Sequence, residues 1–382
     1  MPPLRRTAQV AVLVALLTVL TPPPAGTARG MHRPPPAAER TPPVPTEDSR
    51  LLAGRRIVYS YPGPTPPPAL LRLVREGRAA GVILFGENAT SPERLRSAVA
   101  QLRQAAAEAP GGRPLLLMTD QEGGKVRRLP GAPELSARST GLAPDPVAEA
   151  GRSGAGAGRN LAGSGLNTNL APVLDVYDTP GNFIDQHERS YGQDPAVVAR
   201  LGAAFLTAQQ GLGVAATAKH FPGLGSAAAG LNTDDGPVTL AVPLAELRAR
   251  GEEPYRAAIA AGVRLVMTSW AVYPALDAAR PAGLSPTVVR GELRDRLGFE
   301  GVTVTDALEA GALAPYGDTS ARALAAAGAG VDLVLCSARA VDQGEDAAAA
   351  LADALDSGRL DRPAFLDAVN RIDALRDSLE GP

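Results

Sequence analysis

The sequence predicts an α/β fold, a single-domain (β/α)8 TIM barrel. Three observations carry that prediction. Short apolar runs recur eight times, Ala-rich or amphipathic segments separate them, and polar residues gather directly after the runs. Strands that read as continuous apolar stretches are expected where both faces of a sheet are covered, as in parallel sheets. Eight strand-then-helix units suit a closed barrel better than an open doubly wound sheet. The runs are 57–59, 81–85, 115–119, 169–176, 215–221, 265–269, 302–305 and 333–336. Segments 91–108, 195–210, 244–260, 286–297 and 318–328 between them read as helices.

The chain has 382 residues, enough for one large barrel. Aromatic residues are only 4% against 45% hydrophobic, so the core must be built from Ala, Val and Leu. A formal net charge of −2, with the basic residues scattered, gives no electrostatic basis for a nucleic-acid or anionic-membrane partner. Residues 1–28 read as an export signal: Arg5 and Arg6 precede the apolar stretch 11–20, and small residues follow at 25–28. The apolar stretch falls short of the roughly 20 residues a span requires, so no stable membrane span is expected in the mature protein. Residues 29–50 read as a Pro-rich tether. The folded domain is then expected over 51–380, secreted or held at the cell envelope, and monomeric. Cys336, the single cysteine, lies in an apolar run and reads as a core residue.

In such a barrel the residues that close each strand meet at the C-terminal mouth. Asp120-Gln121-Glu122 follows the third run and Asp175 ends the fourth. Lys219-His220 closes the fifth, Thr268-Ser269-Trp270 the sixth, and Asp306 the seventh. Charges placed after apolar strands need solvent, a partner or a ligand, and so many at one end point to a site. No metal or cofactor is expected. The three histidines, His32, His187 and His220, form no H-E-x-x-H arrangement, and Cys pairs are absent. No G-x-S-x-G elbow follows a strand. Gly154-Ala155-Gly156-Ala157-Gly158 sits in an Ala-rich helical stretch and lacks the spacing of a phosphate loop. Carboxylates in a cleft remain. Glycosyl transfer to water needs one carboxylate at the anomeric carbon and a second group to protonate the leaving oxygen. Asp306, Asp120, Lys219, His220 and Arg189 suit that chemistry and the holding of sugar hydroxyls.

Several blocks make a resemblance specific. Lys219-His220-Phe221-Pro222-Gly223 with Gly225 is similar to K-H-F-P-G-H-G, and Asp120 to Arg128 to D-Q-E-G-G-R-V-x-R. Asn169 to Val176 matches N-x-A-P-V-x-D-V, Arg189-Ser190-Tyr191-Gly192 resembles R-S-F-G, and Met267-Thr268-Ser269 with Tyr273-Pro274-Ala275 resembles M-T-x-H-x-x-Y-P-A. Gly301 to Glu309 looks like G-V-V-I-T-D-D-L-E-M. In this order the blocks resemble family 3 glycoside hydrolases, and most closely the one-domain bacterial β-N-acetylglucosaminidases. The resemblance implies a retaining exo-β-N-acetylhexosaminidase acting on N-acetylglucosamine-containing cell-wall or chitin-type glycosides, as in peptidoglycan turnover. It implies Asp306 as the nucleophile, with Asp120, Arg128, Lys219 and His220 on sugar hydroxyls and Arg189 near the N-acetyl sugar. For Asp175 and Arg189 a second reading stands beside it, in which they merely pair to brace loops.

The sequence departs from the family in one loop. One-domain members carry D-S-H there, whose His is the general acid/base, whereas this chain reads Asn232-Thr233-Asp234. Leu224 replaces the second His of K-H-F-P-G-H-G, and Trp270 stands where a His often follows M-T-x. Three readings follow: Asp234 or Asp235 serves as the acid, the protein binds sugar and turns it over poorly, or the specificity has shifted, for instance to β-glucosides. Asp234 is in register with the missing His and is the expected acid.

Overall fold

Helix starts are written plainly in the chain. Ser91, Asp145, Asp194 and Asp361 each stand just before a Pro-containing first turn, and their side chains accept from the backbone N–H groups of Arg94, Ala148, Ala196 and Ala364. A side-chain oxygen satisfies an orphan donor there, and Pro at the first turn has no N–H to lose. The helices so opened are Pro92–Ala107, Pro146–Gly163, Pro195–Gln210 and Arg362–Asp377. The computed structural model describes residues 47–379. The export signal and most of the tether lie outside the described residues. Helix Ser49–Gly54 opens before the expected domain start at Leu51, because Asp48 caps it at the Arg50 N–H.

Eight parallel strands form the barrel: β1 (Ile57–Tyr59), β2 (Gly81–Ile83), β3 (Leu116–Thr119), β4 (Thr168–Asn169), β5 (Ala215–Phe221), β6 (Leu265–Thr268), β7 (Val302–Thr305) and β8 (Val334–Leu335). They pair in the order β7-β6-β5-β4-β3-β2-β1-β8. A parallel bridge between Val304 and Leu333 joins β7 to the segment entering β8 and closes the ring. All eight lie within the apolar runs of the sequence, save that β4 begins at Thr168. Run 169–176 is the one that falls short as a strand. Pro172 has no N–H to donate to a ladder, so the regular strand ends at Asn169, while the Thr217 and Lys219 N–H groups still donate to the Ala171 and Pro172 carbonyls and Val173 bridges to Lys219. The expected helix 244–260 is likewise interrupted before Glu253–Ala260, whose first turn holds Pro254.

Side chains alternate between the two faces of each strand. Val58, Ile83, Leu116, Met118, Ala215, Leu265, Met267, Val302, Val304 and Leu335 fill the barrel interior. Their neighbours Ile57, Tyr59, Val82, Leu117 and Val334 pack outward against the helices. The Gly-rich run 154–158 lies inside helix Pro146–Gly163, as its Ala-rich setting suggests. A Cβ on Gly154 would sit 2.1 Å from the Phe205 carbonyl oxygen, so glycine lets helix Pro195–Gln210 approach. Cys336 is buried and free, and burial pushes its thiol up. Among the described residues no helix is long and apolar enough to cross a membrane.

Asp332, fully buried just before β8, ties the seam from beneath. It accepts from the Thr303 N–H at 2.8 Å, from Arg294 at 2.6 Å and from Arg371 at 2.8 Å. The carboxylate thereby joins β7, helical segment Thr287–Arg296 and helix Arg362–Asp377. Removing one partner of a buried pair strands the other charges. Asp332→Ala is expected to lower unfolding stability by about 3–5 kcal/mol. Urea unfolding measures this, and a loss below about 1 kcal/mol would contradict the tie.

Candidate active site

Strand β3 delivers its chain into a hairpin, Gln121–Gly123 with Val126–Arg127, and the extended backbone alternates side chains. Gln121 is buried and clasps the following loop, accepting from the Leu129 N–H and donating to the Leu129 and Ala132 carbonyls. Asn169 at the end of β4 fixes the same turn by bonding both the N–H and the C=O of Gln121. Asp120 and Glu122, on the opposite side, meet the end of β5. There the Lys219 ammonium lies 2.7 Å from Asp120 Oδ1 and 2.8 Å from Glu122 Oε1, almost wholly buried. Arg189 grips the same Glu122 with two parallel bonds of 3.0 and 2.8 Å.

Their charges sustain one another. Burial alone would raise the Glu122 carboxyl, but Arg189 and Lys219 outweigh it and hold it well below the usual carboxylate range. Burial would also lower Lys219, yet Asp120 and Glu122 keep the ammonium above its ordinary value. His220 is oriented from behind. Asp175, fully buried, lies 2.7 Å from His220 Nδ1 and accepts from the N–H groups of His220 and Leu224 at 3.3 and 2.6 Å. Both Asp175 and Arg189 are paired, though not with each other. Asp175 serves His220, and Arg189 serves Glu122.

Asp306 leaves β7 at the same mouth, and its Oδ1 accepts from the Ala307 N–H at 2.8 Å. A cavity of about 350 Å³ takes in Asp120, Arg128, Arg189, Lys219, His220, Asp234 and Asp306, whereas Asp175 and Asp235, also named from the sequence, are not among the residues lining it. Ile83, Met267 and Leu335 from the barrel interior also line it, with Phe85 and Phe183. Among the described residues no cluster of His, Cys, Asp and Glu has the makings of a metal site. The arrangement can hold a ligand rich in hydroxyls against charged partners and place carboxylates beside it.

The segment 67–375 matches the glycosyl hydrolase family 3 N-terminal domain. The chain belongs to this family. It is a glycoside hydrolase with a (β/α)8 barrel. A secreted glycosyl hydrolase of Arthroderma benhamiae is 46% identical, over 87% of this chain and 94% of that protein. The structure of a family 3 β-N-acetylglucosaminidase from Paenibacillus sp. str. FPU-7 superposes with a TM-score of 0.81 at 35% identity, covering 86% of this chain. This chain spans only 62% of that one. A β-N-acetylhexosaminidase from Beutenbergia cavernae has a TM-score of 0.78 at 34% identity, over 87% of this chain and 99% of its own.

Where this family 3 chain departs from the family's motifs, other interactions occupy the positions. The Trp270 Nε1–H donates to the Ala307 carbonyl at 2.8 Å, bracing the backbone just beyond Asp306. Leu224 is buried and lines the cavity. The loop carrying Asp234 is docked on the chain after β7: the Gly311 N–H donates to the Asp234 carbonyl and the Ala312 N–H to Thr233, at 2.8 and 2.9 Å. A Cβ at Gly311 would lie 2.5 Å from the Asp235 carbonyl oxygen, so this close approach requires glycine. The residue Asp234 is exposed overall, while its carboxyl is partly screened from water by the cavity wall. That burial, then the nearby Asp306 charge, raises the Asp234 carboxyl above its ordinary value, although His220 and Arg189 oppose the shift.

Sequence reasoning did not single out Glu122 as a site residue, although it lay within a quoted motif. It also passed over Phe85 and Glu309, which end a run and a motif it did quote, and Phe183 and Arg339, which line the cavity from a short helix and a turn. Because the Glu122 carboxyl is depressed, its contribution to stability is complete above the ordinary Glu value of roughly 4.3 and is lost as pH falls toward the folded value. Glu122→Gln should cost about 3 kcal/mol at neutral pH and distinctly less near pH 3. Urea titrations at the two pH values check this, and a loss that grew on acidification would be the wrong sign.

Proposed function

We propose that this protein is an exo-acting, retaining β-N-acetylhexosaminidase that removes terminal N-acetylglucosamine from cell-wall or chitin-type glycosides. The observation that carries the reading is the sharing of one cavity by Asp306, on a barrel strand, and Asp234, on a docked loop. Around them stand Lys219, Arg189, His220, Asp120 and Arg128, which suit a sugar. The names of the Paenibacillus and Beutenbergia relatives support the choice of sugar.

In the first half-reaction the Asp306 carboxylate bonds to the anomeric carbon while the glycosidic C–O bond breaks, and Asp234 passes its proton to the leaving oxygen. In the second, the Asp234 carboxylate takes a proton from water as that water attacks the same carbon. The bond to Asp306 breaks, and the sugar leaves with retained configuration. The division of labour follows from the surroundings. Asp306 is positioned at the end of β7 by the Ala307 N–H, whereas burial and the Asp306 charge keep a proton on Asp234 to higher pH. Asp120, Lys219, His220 and Arg128 hold the ring hydroxyls and Arg189 stands near the N-acetyl group. Residues 1–28 serve as an export signal and 29–50 as most of a tether, in keeping with the secreted relative from Arthroderma.

Asp306→Ala is expected to abolish release of nitrophenolate from 4-nitrophenyl N-acetyl-β-glucosaminide. Asp234→Ala should lose 10²- to 10⁴-fold on natural glycosides, whose leaving group needs a proton, and far less on the nitrophenyl substrate. Azide should restore part of that rate. Activity should fall as pH rises through the elevated Asp234 value, and the variant should lack this alkaline limb. Equal loss on both substrates would move the acid elsewhere. Binding of N-acetylglucosamine without nitrophenolate release would make the wild-type protein a binding relative.

A further inference from the structure

A second hollow of about 520 Å³ opens at the other end of the barrel, away from the mouth. It lies where the chain enters the strands: Arg56 stands just before β1 and bonds to the segment 331–332 just before β8. Five arginines line it, Arg56, Arg290, Arg294, Arg359 and Arg371, against three aspartates, Asp295, Asp361 and Asp367. None of these residues lines the cavity at the mouth. This end of a barrel ordinarily serves stability, but the arginines here exceed what the fold employs.

Arg294 and Arg371 both bond the Asp332 carboxylate that ties the seam. The other three arginines have no carboxylate within ion-pair distance among the described residues. Arg56 matters most, because it is only 2% exposed. Its Nε donates to the Asp332 carbonyl at 2.9 Å and its Nη2 to the Val331 carbonyl, while Nη1 has no partner among the described residues. The Phe365 ring, 4.3 Å away, fixes the plane of the fork. Burial outweighs the attraction of Asp332 and lowers the Arg56 guanidinium to about 10, as expected of a buried cation short of a counter-ion. At the rim, Arg290 Nη2 donates to the Gly328 carbonyl and Arg359 Nε to the Ser357 Oγ, which leaves each fork with further donors unpartnered among the described residues. The first turn of helix Arg362–Asp377 also borders the hollow and adds the positive end of its dipole. The three aspartates are exposed, and Asp361 is engaged in capping that helix at the Ala364 N–H.

We propose that this hollow binds a phosphate monoester, held by Arg56 from the floor and by Arg290 and Arg359 from the rim. A phosphate dianion carries three oxygens and accepts from guanidiniums on separate walls, whereas a carboxylate presents one planar edge. The phosphate fills only part of the space. Phe365, Leu360 and Ala327 line the rest and suit the organic body of an ester. Bound there, the ester supplies the counter-ion that Arg56 lacks, competes with no ligand at the mouth, and stabilises the barrel as its concentration rises. The inference stands independently of the glycosidase reading.

The test is calorimetric titration of phenyl phosphate into the full chain at low ionic strength, with inorganic phosphate and benzoate as comparison ligands. Wild type should bind phenyl phosphate saturably at one site, more tightly than either comparison ligand. Arg290→Gln and Arg359→Gln, both at exposed positions, should each weaken it about tenfold and leave kcat and KM on the nitrophenyl substrate unchanged. Arg128→Gln, at the mouth, should leave the affinity for phenyl phosphate as it is. Absence of saturable binding in wild type, or equal affinity in wild type and both rim variants, would overturn the proposal. So would loss of binding in Arg128→Gln alone, which would put the ligand at the mouth. Inorganic phosphate binding as tightly as phenyl phosphate would overturn the ester, and benzoate binding as tightly would overturn the phosphate.

Discussion

A lysine ammonium buried at the end of β5 can stay charged only if carboxylates meet it there, and Asp120 and Glu122 do so from the end of β3. Strand β4 separates these two in the sheet, so the ion pairs reach over its end and fix the spacing of the mouth. Other placements follow from this one. Glu122, already engaged by Lys219, presents its oxygens to Arg189 and locates the loop that bears it. Lys219 brings His220 with it as the next residue, and Asp175 turns the imidazole by its Nδ1. The site is thus assembled from charges that would be untenable singly.

The two carboxylates proposed for chemistry are mounted differently, and the raised carboxyl of Asp234 comes from its mounting. Asp306 ends a rigid barrel strand and accepts a backbone N–H. Asp234 comes from a loop whose backbone is docked at Gly311 and Ala312, where cavity wall and a neighbouring negative charge disfavour its ionisation. A rigid partner and a docked one allow the distance between them to be set without either being built into the core. Trp270 reinforces the rigid side by its bond to Ala307. A position where related motifs often carry histidine thus supports the backbone next to Asp306.

Legibility followed the strength of the burial signal. Strands covered on both faces announce themselves as apolar runs, which is why all eight were readable and why the polar residues at their ends stood out. Pro172 shortened β4 inside a run that looked uniform, because loss of an N–H is invisible to hydrophobicity. The partners of Asp175 and Arg189 were also unreadable. Both charges lay in plausible motifs, but which carboxylate faces which cation depends on the order of strands around the ring. Arg339 gave no signal, since its place beside the cavity depends on a left-handed turn and the face of Phe85.

The order of elements, the barrel and the strand-end candidates were legible in the sequence because period and strand-end polarity are local properties of the chain, while Arg128 and Asp234 were named only through the resemblance of their motifs. Pairing among charges, docking of the Asp234 loop on Gly311 and the arginine-lined hollow were decided by the closed barrel. They rest on Coulombic and contact energies between residues far apart in sequence, and only ring closure brings those residues within reach of each other.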